Sequence, residues 1–171
     1  MSEFQTLILE DNRFVPVIIR TSLVPGSGCH LSGLPALKET DILLRVLTAM
    51  QEGLDFGIPN RKILINVGST SPLKYEFSHL DLPIALSLYA AANEYFEYDA
   101  SNWIITGELK LNGEISVVNN SQNLLNNIHL LPGDRKVFIP EVIYKLLDPE
   151  RKRYAYPANN LQEVIGIIDK F

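Results

Sequence analysis

A single cysteine, Cys29, stands in a chain of 171 residues. One thiol cannot close an internal disulfide, so stability must come from an apolar core, and the composition suits a reducing compartment. Long hydrophobic runs are absent. Nothing approaches the roughly 18 consecutive apolar residues of a membrane span. The opening Met1-Ser2-Glu3-Phe4 lacks the basic, then apolar, pattern of a signal peptide. Together these features place the protein in the cytoplasm, away from membranes. Histidine is scarce as well. His30, His79 and His129 are scattered, with no metal-ligand spacing among them or to Cys29, so no metal site is expected. Excess positive charge is lacking too: the net charge is −5, which does not favour a nucleic-acid or anionic-membrane partner.

Phosphate-binding signatures are also missing. No GxxxxGK[ST] loop supplies a backbone cradle and lysine, and no GxGxxG follows a strand. The string Pro25-Gly26-Ser27-Gly28 has neither a third glycine nor a helix start, and reads as a turn. No cofactor is expected.

What remains is an ordinary globular composition, 46% hydrophobic and 20% charged, of a length suited to one domain spanning residues 1–171. Apolar, β-branched runs alternate with helical periodicity, which predicts an α/β fold: a mixed sheet with packed helices. Phe14 to Val24 reads as a strand, with Cys29 to Ser32 as a short partner. From Leu37 to Leu54 the positions Leu43, Val46, Leu47, Met50 and Leu54 form one helical face, leaving Lys38, Glu39, Arg45 and Glu52 on the others. Lys62 to Val67 is a buried-type strand. A helix opens at Asp81-Leu82-Pro83, with Asp81 placed to cap its free N–H groups, and is apolar nearly all round. Asn112-Gly113, between Trp103–Leu111 and Glu114–Val118, signals a hairpin. Ser121 is placed to cap a helix carrying Leu124, Leu125 and Ile128. Lys136–Ile139 and Tyr154–Tyr156 read as strands and Glu141–Leu147 as a short helix. A last helix, capped by Asn160, carries Leu161, Val164, Ile165 and Ile168.

The least regular stretch, Gly68 to His79, is where chemistry would sit. Lys74, Tyr75, Glu76, Ser78 and Asp81 gather at the entrance to the apolar helix, where outward N–H groups favour anions. Ser78 beside His79 suggests a nucleophile and base, with Lys74 as another base. Adjacent residues rarely face one another, however, and a nucleophile needs its base within hydrogen-bond reach. The basic residues Arg61 and Lys62, and the run Arg151-Lys152-Arg153, are the candidates for a nucleic-acid contact, which would weaken steeply with salt.

Several segments in order resemble one family. They are Ser32-Gly33-Leu34-Pro35 with Lys38-Glu39, then the stretch from Phe56 to Val67 (FGIPNRKILINV), then Asp81-Leu82-Pro83-Ile84-Ala85-Leu86, then Gly107-Glu108-Leu109-Lys110-Leu111-Asn112-Gly113-Glu114-Ile115. Together these resemble the N-terminal, ChlI-type domain of magnesium chelatase-related proteins of the ComM type, across roughly residues 14 to 171. The resemblance implies the fold of the Lon protease catalytic domain, of the ribosomal-protein/GHMP superfamily type. In those relatives the domain precedes an AAA+ ATPase and belongs to hexameric DNA motors. The present chain ends at Phe171 without motor motifs, so ATP hydrolysis does not carry over. Lon-type peptidases use a serine before the central helix and a lysine after the hairpin. Here the serine position falls at His79, one residue from Ser78, and the lysine position at Gln122, whose amide cannot act as a general base. The Gly-Gly that precedes that lysine in relatives is Asn119-Asn120, and the loop before the helix departs from the family pattern at Lys74-Tyr75-Glu76-Phe77. Nothing in the residues suggests magnesium insertion into a porphyrin. The expectation is a non-catalytic interaction or assembly module, an oligomer or a partner of a separately encoded AAA+ ATPase. The alternatives are a DNA-binding accessory of a competence or recombination machine and a degenerate serine peptidase using Ser78.

Overall fold

A computed structural model describes residues 1–74, 77–116 and 119–169. Two strands open the chain, β1 (Ser2–Glu10) and β2 (Arg13–Val24), paired antiparallel from Ser2 opposite Thr21 to Glu10 opposite Arg13. The two-residue turn between them places Asp11 and Asn12 at φ 47° and 60°. Positive φ at both central positions matches the right-handed twist of a hairpin, and Asp and Asn tolerate it better than other non-glycine residues.

The short strand β3 (Cys29–Ser32) is not the partner of β2. Helix α1 (Ala36–Leu54) carries the chain over to β4 (Lys62–Ser69), which inserts between them. β4 runs antiparallel to β2 and parallel to β3, giving a mixed four-stranded sheet in the order β1-β2-β4-β3. Parallel neighbours need such a crossover, and a 19-residue helix supplies it.

A 3₁₀ turn (Phe77–Leu80) leads into α2 (Asp81–Ala92), whose residues from Asp81 to Leu88 are all buried. This matches a helix that is apolar all round. Its one buried hydroxyl, Ser87, is satisfied by Ser2 (3.0 Å) and Thr21 (2.8 Å) from the first two strands. The buried stripe of α1 is Ile42, Val46, Ala49 and Met50. Leu43 and Leu47, expected at the centre of that face, lie at its margin.

The second half holds a smaller, all-parallel sheet of β5 (Trp103–Ile104), β6 (Lys136–Ile139) and β7 (Ala155–Pro157). Around it lie α3 (Asn119–Asn127), α4 (Glu141–Tyr144), α5 (Pro149–Lys152) and α6 (Leu161–Ile168). α3 begins two residues before Ser121. The Asn160 side chain caps α6 by accepting from the Glu163 N–H at 2.9 Å. β1 serves both cores. Phe4 and Ile8 enter the cluster under the first sheet, while Leu7 and Leu9 pack with Ile104, Val137 and Ile139 of the second.

The hairpin at Asn112-Gly113 forms. The Gly113 N–H donates to the Lys110 carbonyl at 2.9 Å, the Lys110 N–H to the Glu114 carbonyl and the Ser116 N–H to the Glu108 carbonyl, both at 2.8 Å, and Leu109 bridges Ile115; residues 117 and 118 of the expected second strand lie outside the described residues. Gly107, just before the hairpin, pairs with the 3₁₀ turn and the start of α2. The Gly107 N–H donates to the His79 carbonyl (2.9 Å), and the Leu82 N–H donates back to the Gly107 carbonyl (3.0 Å).

The end of β3 depends on one close approach. Gly33 sits at φ +96°, and a Cβ there would lie 2.0 Å from the Val67 carbonyl oxygen, whereas Gly28, at φ +95°, has open space around it. Gly33→Ala is expected to cost about 2–4 kcal/mol and Gly28→Ala about 1 kcal/mol, the backbone strain alone. Urea unfolding of the two variants checks this, and equal losses would show that the approach to Val67 carries no weight.

Candidate functional site

The site is built where α1, the start of α2 and the 105–109 segment converge. At its centre the Asp81 carboxylate has no exposed surface. Asp81 does not cap its own helix. Arg45 reaches it from α1 with two hydrogen bonds, Nε to Oδ2 at 2.6 Å and Nη2 to Oδ1 at 2.8 Å. The Leu109 N–H donates to Oδ2 at 3.0 Å. Burial pushes the Asp81 carboxyl up to about 6, opposed by its Arg45 partner and the Leu109 N–H. The same pair raises the Arg45 guanidinium above its ordinary value, chiefly through the hydrogen bond to Asp81. Glu108 adds negative charge close to both. A reading of α1 by periodicity places Arg45 on a solvated face. The signal that would have redirected it is an aspartate opening a helix with no polar face, since a buried carboxylate requires a cation or donors.

The residues proposed from sequence separate around this centre. Ser78 and His79 are neighbours on the 3₁₀ turn but line different cavities. Ser78 faces α1, in a cavity of about 130 Å³ with Lys38, Asp41, Ile42, Arg45 and Phe77. His79 is buried and faces the other way, with Thr106, Gly107, Glu108, Ser116 and Phe138 among the residues around it. That second cavity measures about 30 Å³. Burial lowers the His79 imidazole below its ordinary value, with Glu108 opposing, so the ring is neutral near pH 7. Thr106 and Ser116 were not singled out from sequence. Thr106 reaches this cavity because Gly107 pairs with the 3₁₀ turn, and Ser116 because its N–H donates to the Glu108 carbonyl at 2.8 Å across the hairpin.

Lys74 is exposed, and its backbone N–H donates to the Glu10 carboxylate at 2.7 Å. Tyr75 and Glu76 lie outside the described residues. Gln122 is exposed on α3, and its amide donates to Asn126 at 3.2 Å, while Leu124 and Leu125 of the same helix face the His79 cavity.

The basic residues do not gather. Arg61 is exposed before β4 and Lys62 is half-buried at its start. Arg151 pairs with Asp148 at 3.5 Å. The Lys152 ammonium lies 5.5 Å from the centre of the Tyr144 ring, and Arg153 lies over Tyr154 and 3.7 Å from Asp134. Burial pushes the half-buried Cys29 thiol up to about 11, which keeps it protonated. Among the described residues, no three His, Cys, Asp or Glu side chains meet in a metal-binding group, and no helix is long and apolar enough to cross a membrane.

A family model described as subunit ChlI of Mg-chelatase matches residues 19–142, well over half of the chain. The match runs from β2 through the start of α4 and includes Arg45, Asp81 and the Gly107–Gly113 segment. No curated protein matches the sequence.

Arg45→Met leaves the Asp81 carboxylate buried without its cation, and is expected to cost about 3–5 kcal/mol at pH 7.5. The folded Asp81 carboxyl titrates above its unfolded value of about 4. Its contribution to stability is therefore fully present below that value and is lost as pH rises through about 6. In the variant the carboxyl titrates higher still, so the deficit against the parent should shrink as pH falls from 7.5 to 5. Urea unfolding across this window tests it, and a deficit that stays constant or grows on acidification would contradict it.

Proposed function

Because the chain belongs to the family of subunit ChlI of Mg-chelatase, we propose that it works as a non-catalytic assembly module of the magnesium chelatase-related type. It self-associates or docks on a separately encoded AAA+ ATPase in the cytoplasm. The observation that carries this reading is the dispersal of the groups a Lon-like peptidase would need together. Ser78 faces α1, His79 faces a separate cavity on the other side of the turn, and Gln122 is engaged with Asn126 at the surface. Ser78 and His79 do not share a cavity, and a nucleophile apart from its base is weak.

What the chain offers instead is surface. Leu37 (84% exposed), Leu44 (68%) and Leu146 (80%) are large apolar groups left in solvent. Such groups mark contact sites when they cluster. The DNA-binding alternative draws no support from Arg151, Lys152 and Arg153, each of which leans on a carboxylate or ring of its own neighbourhood. Family membership does not bring porphyrin metallation with it, since function follows from sites and not from folds.

The test is the solution mass of the purified protein by light scattering, alone and with ATP or duplex DNA, beside a casein-hydrolysis assay. A defined multiple of 19.2 kDa, unmoved by either addition, and no hydrolysis are expected. Hydrolysis lost in Ser78→Ala, or a strict monomer that shifts only with DNA, would contradict the reading.

A further inference from the structure

The two edges of the mixed sheet are treated differently. The outer edge of β1 is covered. The Tyr98 hydroxyl donates to the Glu3 carbonyl at 2.7 Å, Phe4 stacks on Tyr98 at 4.3 Å, and Thr6 donates to the Ile105 carbonyl. The outer edge of β3 is open. Cys29 pairs in parallel with Ile63, and the Ile63 N–H donates to the Gly28 carbonyl at 2.9 Å. In that register Gly28, His30 and Ser32 bond to β4, and the N–H and C=O groups of Cys29 and Leu31 point away from the sheet. Among the described residues no hydrogen bond engages them. Beside this edge runs a groove of about 380 Å³ between β3 and α1, lined by Cys29, Leu31, Glu39, Leu43, Leu44 and Leu47 among others. The leucines displaced from the buried stripe of α1 are the ones that line it.

We propose that this edge and groove bind an extended, basic–apolar peptide segment of a partner protein by strand addition. The segment would hydrogen-bond to Cys29 and Leu31, place an apolar side chain among Leu43, Leu44 and Leu47, and bring a lysine or arginine to Glu39. This names the surface and partner chemistry of the assembly role proposed above, and rests on that role.

Two observations select this occupant over a second copy. The first is size. β3 has four residues, about 13 Å of strand, and it cannot lengthen, because Gly28 and Gly33 at its two ends hold φ near +95°. Two such edges pair through very few hydrogen bonds, far short of the roughly 1,200 Å² that a stable interface buries. A short segment lying in the groove needs no such area. The second is charge. Among the described residues, Glu39 is the one acidic or basic side chain, histidine aside, lining the groove, in a chain of net charge −5. One Glu39 oxygen accepts from the Leu34 N–H at 3.3 Å, and the other is available to a cation.

The experiment is selection from a random seven-residue peptide library displayed on phage, against the immobilised full-length chain. An enriched peptide is then resynthesised for titration and amide hydrogen exchange. The expected result is enrichment of sequences with apolar residues at alternate positions and a lysine or arginine. Affinity should fall at least about tenfold in Leu44→Lys, whose exposed position spares the fold, and measurably in Glu39→Gln. The Cys29 and Leu31 amides should become protected on binding. No enrichment, acidic consensus sequences, affinity unchanged in Leu44→Lys, or protection confined to other strands would each overturn the proposal. A defined oligomer in light scattering together with any of those outcomes would reject this surface while leaving the assembly role standing.

Discussion

A carboxylate with no exposed surface dictates the arrangement of this fold's centre. Asp81 opens a helix whose first eight residues are all buried, so its charge has no route to water. Two donors from Arg45 and one from the Leu109 backbone meet it. A buried pair of this kind adds little net stability over an apolar replacement, but it is costly to break and it fixes geometry. Here it joins three segments far apart in sequence: the crossover helix α1, the start of α2, and the strand-like stretch 105–109. The exchange of hydrogen bonds between His79, Leu82 and Gly107 then continues a junction that the ion pair has already aligned.

This junction has a chemical consequence. By holding Gly107 against the 3₁₀ turn, it places His79 in a cavity with Gly107, Ile115, Phe138 and Leu124, with Glu108 at its wall. Ser78, one residue earlier, is left on the α1 side. Ser78 and His79 thus line different cavities, and Gln122 is exposed on α3, hydrogen-bonded to Asn126.

The legible parts of the fold were those whose residues obey a single environment. The α2 helix is apolar on every side because every side is buried, and Asn160 caps α6 as its side chain predicts. The strand pattern from Phe14 to Val24 held to within one residue. The missed parts answer to two environments at once. β1 reads as no clean alternation, since Leu7-Ile8-Leu9 are buried on both faces, between two cores. The Asn112-Gly113 hairpin pairs from 108 to 116 as its turn signal predicts, but nothing in the sequence signals that Gly107, at its base, pairs with the 3₁₀ turn. Arg45 looked like a surface residue because a helical wheel cannot show that a buried carboxylate from another helix lies beside it. At the candidate site, Ser78 and His79 were identifiable as types, while their opposed directions follow from the turn's geometry and not from their order in the chain.

The most direct test of this account is a double-mutant cycle across the central pair, with Arg45→Met, Asp81→Leu and the combination measured by urea unfolding at pH 7.5. If the pair organises the junction, the double variant should be more stable than the sum of the single losses implies, by at least about 2 kcal/mol, as for partners in one buried network. Additivity within about 0.5 kcal/mol, the behaviour of independent sites, would contradict it.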